Sequence, residues 1–423
     1  MGTITAQEAA RIWGISDRRV RKLCAEGKIA GAVKNGKSYS IPADAKKPAG
    51  KSGRPGKTGD ASCRFLKWNT DIIGVIDKNN GVSFSKPDYN EVVSMYTYGR
   101  TKWSPDEWID FLAERVISRD RRDIERIMFR IGLSQYDVLR IAEITRGMHP
   151  KDLLWIARTK NEQFEDVMTE VFSSIFHKHI DLVGDSIDTP EGYNIKRYGV
   201  YKGKYGIYKQ RISPLHKDVE SEVAVCLLAE KLGVSVCPAV KTDNDTVFST
   251  FLFDFSKDYI VHFRRLFDGA RSDNEYRNLI DVRPQYRDDI ARMILFDFIT
   301  RQDDRHLSNI AIKISGNSES FYALYDNGRS LFYEDTEEMV KQAVSDPATF
   351  STTFGYSGTY WDYVKEIEQE RGGLDGLLNT NIGENDIKSV LLEAGFTGYR
   401  FEGALTWICM TLDLIRGLYK GNI

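Results

Sequence analysis

The period of the apolar positions changes along this chain, and each change marks an element or a boundary. In "TITAQEAARIWGISDRRVRKLCAEGKI", Ala9, Ile12 and Trp13 fall on one helical face. Thr5 and Glu8 have the spacing of a capping box. Gly14 breaks that helix and Ser16 can cap a second one running to about Glu26, with Gly27 where a left-handed terminal residue is expected. Val20 and Leu23 are left to face inward. "GAVKNGKSYSIP" then gives two short β-like runs around Asn35-Gly36, a strong hairpin signal. Residues 43–62 are Lys/Gly/Pro-rich with almost nothing apolar, so a first domain over 1–48 and a flexible basic linker over 49–62 are expected.

From Cys63 the pattern turns aromatic and helical, and 63–180 is expected to be a mainly helical segment. "SPDEWIDFLAERV" has Ser104 as cap, Pro105 in the first turn and Glu107 completing a box. "LSQYDVLRIAEIT", with Ser134 as its cap, and "HPKDLLWIART" read as further helices. Beyond residue 183, "YNIKRYGVYKGKYGIYKQRI" alternates like antiparallel strands with tight turns, and "DVESEVAVCLLAEKLGV" follows as a helix. "RDDIARMILFDFITRQ" is another helix. It leads into the polar loop and alternating strand of "DDRHLSNIAIKI", then the turn "SGNSES" and a return strand "FYALYD".

Composition narrows the class. The chain has 423 residues, 41% hydrophobic and 12% aromatic, which suits a well-packed protein of two or three domains. No apolar run approaches the roughly 18 residues of a membrane helix, and no signal peptide is visible. The five cysteines are scattered and never form a C-x-x-C pair, which fits a reducing cytosol rather than a disulfide framework or zinc site. The net charge of −2 hides an asymmetry. Residues 1–62 carry 13 Lys/Arg against 5 Asp/Glu, while the remainder carries 46 against 56. One end is suited to a polyanion and the rest is not.

That basic end has a matching shape. Its helix, turn, basic helix and hairpin wing resemble the winged helix-turn-helix of excisionase and MerR-type DNA-binding domains. The resemblance implies DNA as a partner of residues 1–48, through Arg18, Arg19, Arg21 and Lys22 on the second helix and Lys34 and Lys37 in the wing.

The other end carries chemistry. Asp304, Arg305, His306 and Asn309 fall within six residues, and a hairpin returns the chain to Asp326. Phosphoryl transfer needs one carboxylate to orient the attacking hydroxyl and oxygen ligands, usually Asp and Asn, to hold Mg²⁺ against phosphates. The spacing from Asp304 to Asn309 equals that of base and metal-ligating Asn in the H-R-D-x-x-x-x-N kinase loop. Lys209 ends a strand-like run, and Glu222 lies on the next helix. A helix glutamate aiming a strand lysine at phosphates is the kinase arrangement.

"DRHLSN" followed by "YDNGRSL" resembles the HipA-like serine/threonine kinases of bacterial toxin–antitoxin systems. The resemblance implies an α+β fold with a two-lobed kinase-like domain over 181–423, its N-lobe about 181–255 and its C-lobe about 256–423. It implies ATP and Mg²⁺ as cofactors, Asp304 as catalytic aspartate, Asn309 and Asp326 as metal ligands, and Lys209 with Glu222 as the phosphate-positioning pair. The family's phosphate loop is assigned to "SIDTPEGYN", with Ser186, Thr189 and Gly192 as members. Gln302 is a departure, since relatives often carry Asn there. Phosphoinositide kinases share D-R-H-x-x-N but place D-F-G at the second site, where this chain has Asp326-Asn327-Gly328, so a protein kinase is favoured over a lipid kinase. His306 is expected to pack beneath the loop. The expected function is a cytoplasmic Ser/Thr protein kinase tied to DNA, with a protein substrate and an antitoxin as candidate partners and no membrane association. The alternative is a DNA-binding regulator whose kinase fold senses nucleotide.

Overall fold

The structure is a computed structural model, and it describes residues 3–13, 17–35, 38–46, 48, 63–119, 124–178, 196–267, 275–351 and 358–419. Two compact units account for most of the chain, one formed mainly by Met1–Val171 and the other mainly by Ile187–Ile423. Among the described residues no helix is long and apolar enough to cross a membrane.

In the first unit, Thr5 and Glu8 form the reciprocal capping contacts that open helix Ala6–Trp13: the Thr5 amide donates to Glu8 Oε2 at 2.6 Å and the Glu8 amide to Thr5 Oγ1 at 3.2 Å. Helix Asp17–Ala25 follows, and Gly27 takes the left-handed conformation with φ 65°. Ala9, Val20, Leu23, Ile29 and Ile41 close a small core between these helices and a three-stranded sheet. In that sheet Ser38–Pro42 lies between Val33–Asn35 and an additional strand, Thr3–Thr5. Val33–Asn35 and Ser38–Pro42 pair antiparallel, with Asn35 opposite Ser38, on either side of the expected hairpin turn. Gly14, Ser16, Gly36, Lys37 and the expected linker lie outside the described residues.

Among the described residues of 63–180 more lie in helices than in strands, but the segment also holds a sheet that was not expected. A five-stranded antiparallel sheet runs in the order Lys102–Trp103, Val82–Phe84, Asp71–Ile76, Arg64–Trp68 and Leu154–Ala157. "HPKDLLWIART" contains its last strand rather than a helix, with all four residues of Leu154–Ala157 buried. A short, wholly apolar run has no period that separates a buried strand from a buried helix, and tertiary pairing decides. Asp137, not Ser134, caps helix Val138–Thr145, its Oδ1 accepting from the amides of Leu139 at 3.0 Å and Arg140 at 3.2 Å. Helix Pro105–Ala113 has the expected Ser104–Glu107 box, and its Trp108 packs with Trp103 and Phe111. The aromatics of this segment include core.

The second unit begins with a four-stranded antiparallel sheet in the order Ala239–Asp243, Thr246–Thr250, Lys204–Gln210 and Lys196–Tyr201. Gly206 is required in it: a Cβ there would sit 2.2 Å from the Ser249 carbonyl oxygen and 2.6 Å from the Phe248 ring. Helix Asp218–Leu232 is buried along most of its length and ends at Gly233, φ 72°. Helix Arg287–Ile299 starts charged but is buried from Met293 to Ile299, where every residue except Asp297 is apolar, as a core helix should be. The two strands after the polar loop, Ala311–Ser315 and Ser318–Phe321, form a three-stranded sheet with the earlier strand Asp258–His262. The return strand stops at Phe321, earlier than "FYALYD" suggested. The chain then runs beside residues 235–237, with the Leu324 amide donating to the Ser235 carbonyl at 2.9 Å and the Cys237 amide to the Leu324 carbonyl at 2.8 Å. Helices Tyr360–Arg371, Glu384–Ala394 and Gly398–Tyr419 complete the unit.

Candidate active site

Three pieces of chain converge around Asp326: the loop after helix Arg287–Ile299, the paired strands carrying Lys196 and Lys209, and helix Asp218–Leu232. Asp326 adopts φ 59°, a left-handed conformation that Asp tolerates better than most side chains. The Lys209 ammonium donates to Asp326 Oδ1 at 2.9 Å and is ion-paired with Glu222. The structure thus brings the strand lysine and the helix glutamate together, both buried.

Lys196 enters the same cluster. It is the register partner of Lys209 on the neighbouring strand and donates to Asp326 Oδ2 at 3.0 Å. Sequence reasoning gave it no role, because a lysine on an alternating strand reads as a solvated face. Burial favours the protonated Asp326 carboxyl, but the two ammonium groups outweigh it and hold the group well below the ordinary carboxylate range. Burial likewise opposes charge on Lys209, yet Asp326 and Glu222 raise it above the usual lysine value.

Asp304 and Asn309 sit on the facing loop. The Asn309 side-chain amide donates to the Asp304 carbonyl at 2.9 Å. Burial pushes the half-exposed Asp304 carboxyl upward against the opposing pull of His306 and Arg329. His306 does not pack beneath the loop. Its side chain is 40% exposed, with Nε2 3.9 Å from Asp304 Oδ1, and Nδ1 accepts from the Ser308 amide at 3.2 Å. Burial lowers its pKa, disfavouring the imidazolium. Next to it, burial pushes Asp303 up to about 6 despite its ion pair with Arg329 at 3.2 Å.

Two buried side chains hold this arrangement. Gln302, at the departure noted in the sequence, accepts the Asp304 amide on Oε1 at 3.0 Å and donates from Nε2 to the Asp326 carbonyl at 3.3 Å. It therefore ties the backbones of both aspartates to one amide group. Arg305 is fully buried and forms two hydrogen bonds with Asp297, at 2.9 and 3.0 Å. It also donates to Asn327 Oδ1 at 2.6 Å, to the Tyr325 carbonyl at 2.8 Å and to the Asn309 carbonyl at 3.3 Å. Burial opposes its charge, but Asp297 keeps it firmly protonated. The signal for Asp297 was present as one acidic residue inside the apolar run "ILFDFI".

Of the remaining candidates, Ser186, Thr189 and Gly192 lie outside the described residues. Arg18, Arg21 and Lys22 are exposed on helix Asp17–Ala25, with Arg21 paired to Asp17 at 2.9 Å, and Arg19 is partly buried. Lys34 is exposed on its strand.

No protein-family model matches this chain, and no curated protein does. Among solved structures it is similar to the Helicobacter pylori proinflammatory kinase CtkA, at 15% identity and a TM-score of 0.42, over 54% of this chain and 90% of that one. It is also similar to the Shewanella oneidensis MR-1 toxin–antitoxin complex of HipA, HipB and operator DNA. There the identity is 15% and the TM-score 0.45, over 84% of this chain and 99% of the matched chain.

Proposed function

We propose that this chain is an ATP- and Mg²⁺-dependent kinase of the HipA-like type that phosphorylates serine or threonine in a protein, tied to DNA through residues 1–48. The observation that carries the reading is the convergence of Lys209, Glu222, Asp304, Asn309 and Asp326 in one cluster. A buried lysine clamped by a glutamate is a fixed positive charge suited to phosphate oxygens. Asp304 is the group that accepts the hydroxyl proton of the substrate, and its raised pKa makes it a better base than an ordinary carboxylate.

The donor set fits Mg²⁺. Asn309 gives its side-chain NH₂ to the Asp304 carbonyl, which leaves its Oδ1 for a hard cation, and Asp326 offers an ionised carboxylate. Asn309 and Asp326 would hold the metal, and bound Mg²⁺ supplies neutralisation of charge on the phosphates. Ser186, Thr189 and Gly192 are the proposed phosphate loop. The proposed setting is the cytoplasm, with an antitoxin as a further partner.

The test is incubation with labelled ATP and Mg²⁺, alone and with host lysate, beside Asp304→Asn. Label on serine or threonine that is lost in the variant supports the reading. ATP binding without transfer under any condition would favour a nucleotide-sensing regulator, and label on lipid a lipid kinase.

A further inference from the structure

Asp326 has two carboxylate oxygens, and an ammonium group lies on each. The two lysines differ in how they are held. Lys209 is on an interior strand, 11% exposed in its side chain and clamped by Glu222. Lys196 is on the edge strand of the sheet, with 29% of its side chain exposed. A divalent cation binding Asp326 would share its carboxylate with both ammonium groups, and cationic centres a few ångströms apart in a partly buried site repel strongly. Lys196 is the one that can leave.

We infer that Lys196 occupies the cation side of Asp326 in the nucleotide-free protein, excluding the bare divalent ion, and turns onto the phosphates when metal and nucleotide arrive together. The inference rests on the kinase reading of this site and adds an order of loading to it. An incoming triphosphate offers the Lys196 ammonium a replacement anion, which a bare cation does not. The exchange would keep each charge partnered: Asp326 would be free to hold the metal, and Lys196 would pair with a phosphate oxygen instead.

The signature is a pair of opposite changes in one variant. Mn²⁺ binding is measured by electron paramagnetic resonance on the full chain, with Mn²⁺ alone and with Mn²⁺ plus a non-hydrolysable ATP analogue. Lys196→Met should bind bare Mn²⁺ about tenfold or more tightly than the parent, because a competing charge is gone. The same variant should bind the analogue severalfold more weakly. Lys196→Arg, which keeps the charge, should stay near the parent in both. Unchanged bare-ion affinity in Lys196→Met, or analogue affinity that rises with it, overturns the assignment while leaving a parent that binds Mn²⁺ and analogue a kinase candidate. A parent that binds neither ion nor analogue fails the kinase reading itself.

Discussion

Arg305 and Asp297 form a fully buried, two-pronged ion pair eight residues apart, joining the core helix Arg287–Ile299 to the polar loop that follows it. From that anchor the guanidinium reaches the carbonyls of Asn309 and Tyr325 and the side chain of Asn327. It thereby fixes residues on both sides of the site without occupying it. Removing one member strands a buried charge, so Arg305→Ala or Asp297→Ala should cost about 3–5 kcal/mol of stability. Arg305→Lys should recover little, because an ammonium cannot reproduce the fork. Urea titrations of the second unit's unfolding measure this. A loss below about 1 kcal/mol in both alanine variants would remove the pair from its assigned role.

The roles proposed for the two aspartates predict different failures. Asp304→Asn should leave nucleotide binding nearly intact and lower phosphotransfer by orders of magnitude, since only the proton acceptor is lost. Asp326→Asn should weaken metal–nucleotide binding as well. Lys209→Ala should raise the ATP requirement and lower turnover, and Glu222→Ala should do the same more mildly. Calorimetric ATP titration beside single-turnover labelling separates these, and full phosphotransfer by Asp304→Asn would end its assignment as base.

The raised pKa of Asp304 carries a sign for the pH profile. A base works deprotonated, so activity is lost as pH falls through that pKa. Because burial raises it, the acid limb of kcat/KM should lie above the ordinary aspartate value of about 3.9. His306 and Arg329 oppose that rise, so Arg329→Gln should move the limb to still higher pH. A limb that moves down in this variant would detach it from Asp304.

Gln302 supplies a more local test. Its amide spans from the Asp304 backbone N–H to the Asp326 carbonyl. Gln302→Ala leaves both groups without that partner in a buried place, and Gln302→Asn, shorter by one methylene, cannot reach both. The alanine variant should lose about 1–3 kcal/mol of stability. The asparagine variant should lose turnover more than nucleotide affinity, because it loosens the spacing between the two aspartates. Equal kcat in parent and Gln302→Asn would show that this spacing is set elsewhere.

Much of the fold was legible where its cause is local. The Thr5–Glu8 and Ser104–Glu107 boxes, the Gly27 terminus, helix Asp218–Leu232 and helix Arg287–Ile299 all follow from residues a few positions apart. What escaped depends on distant partners. Strand Leu154–Ala157 owes its state to pairing with Arg64–Trp68, and local period is silent about that. Lys196 looked like one more surface lysine because its partner, Asp326, lies 130 residues away. Asp304, Asn309 and Asp326 could be expected together because a short hairpin separates them, whereas the Gln302 bridge and Arg305 anchor depend on side-chain reach.

The last prediction concerns the basic end, where 13 Lys/Arg stand against 5 Asp/Glu in residues 1–62. Val20 and Leu23 are buried in the small core, so their substitution should unfold that module rather than retune it. The opposite face of the same helix presents Arg18 and Lys22 to solvent, while Arg21 is engaged with Asp17. If this helix enters a major groove, Arg18 and Lys22 should divide into base-reading and phosphate-holding positions. A phosphate contact gives affinity that falls with salt, so Lys22→Ala or Lys34→Ala should weaken binding to all sequences and lower the log–log salt slope by about one. A base-reading Arg18 should instead cost about 1–3 kcal/mol on a preferred site and relax its specificity. Fluorescence anisotropy against DNA selected from a random pool, across a salt series, measures both effects on the full chain. Affinity and slope unchanged in Arg18→Ala, Lys22→Ala and Lys34→Ala alike would mean that this surface does not meet DNA.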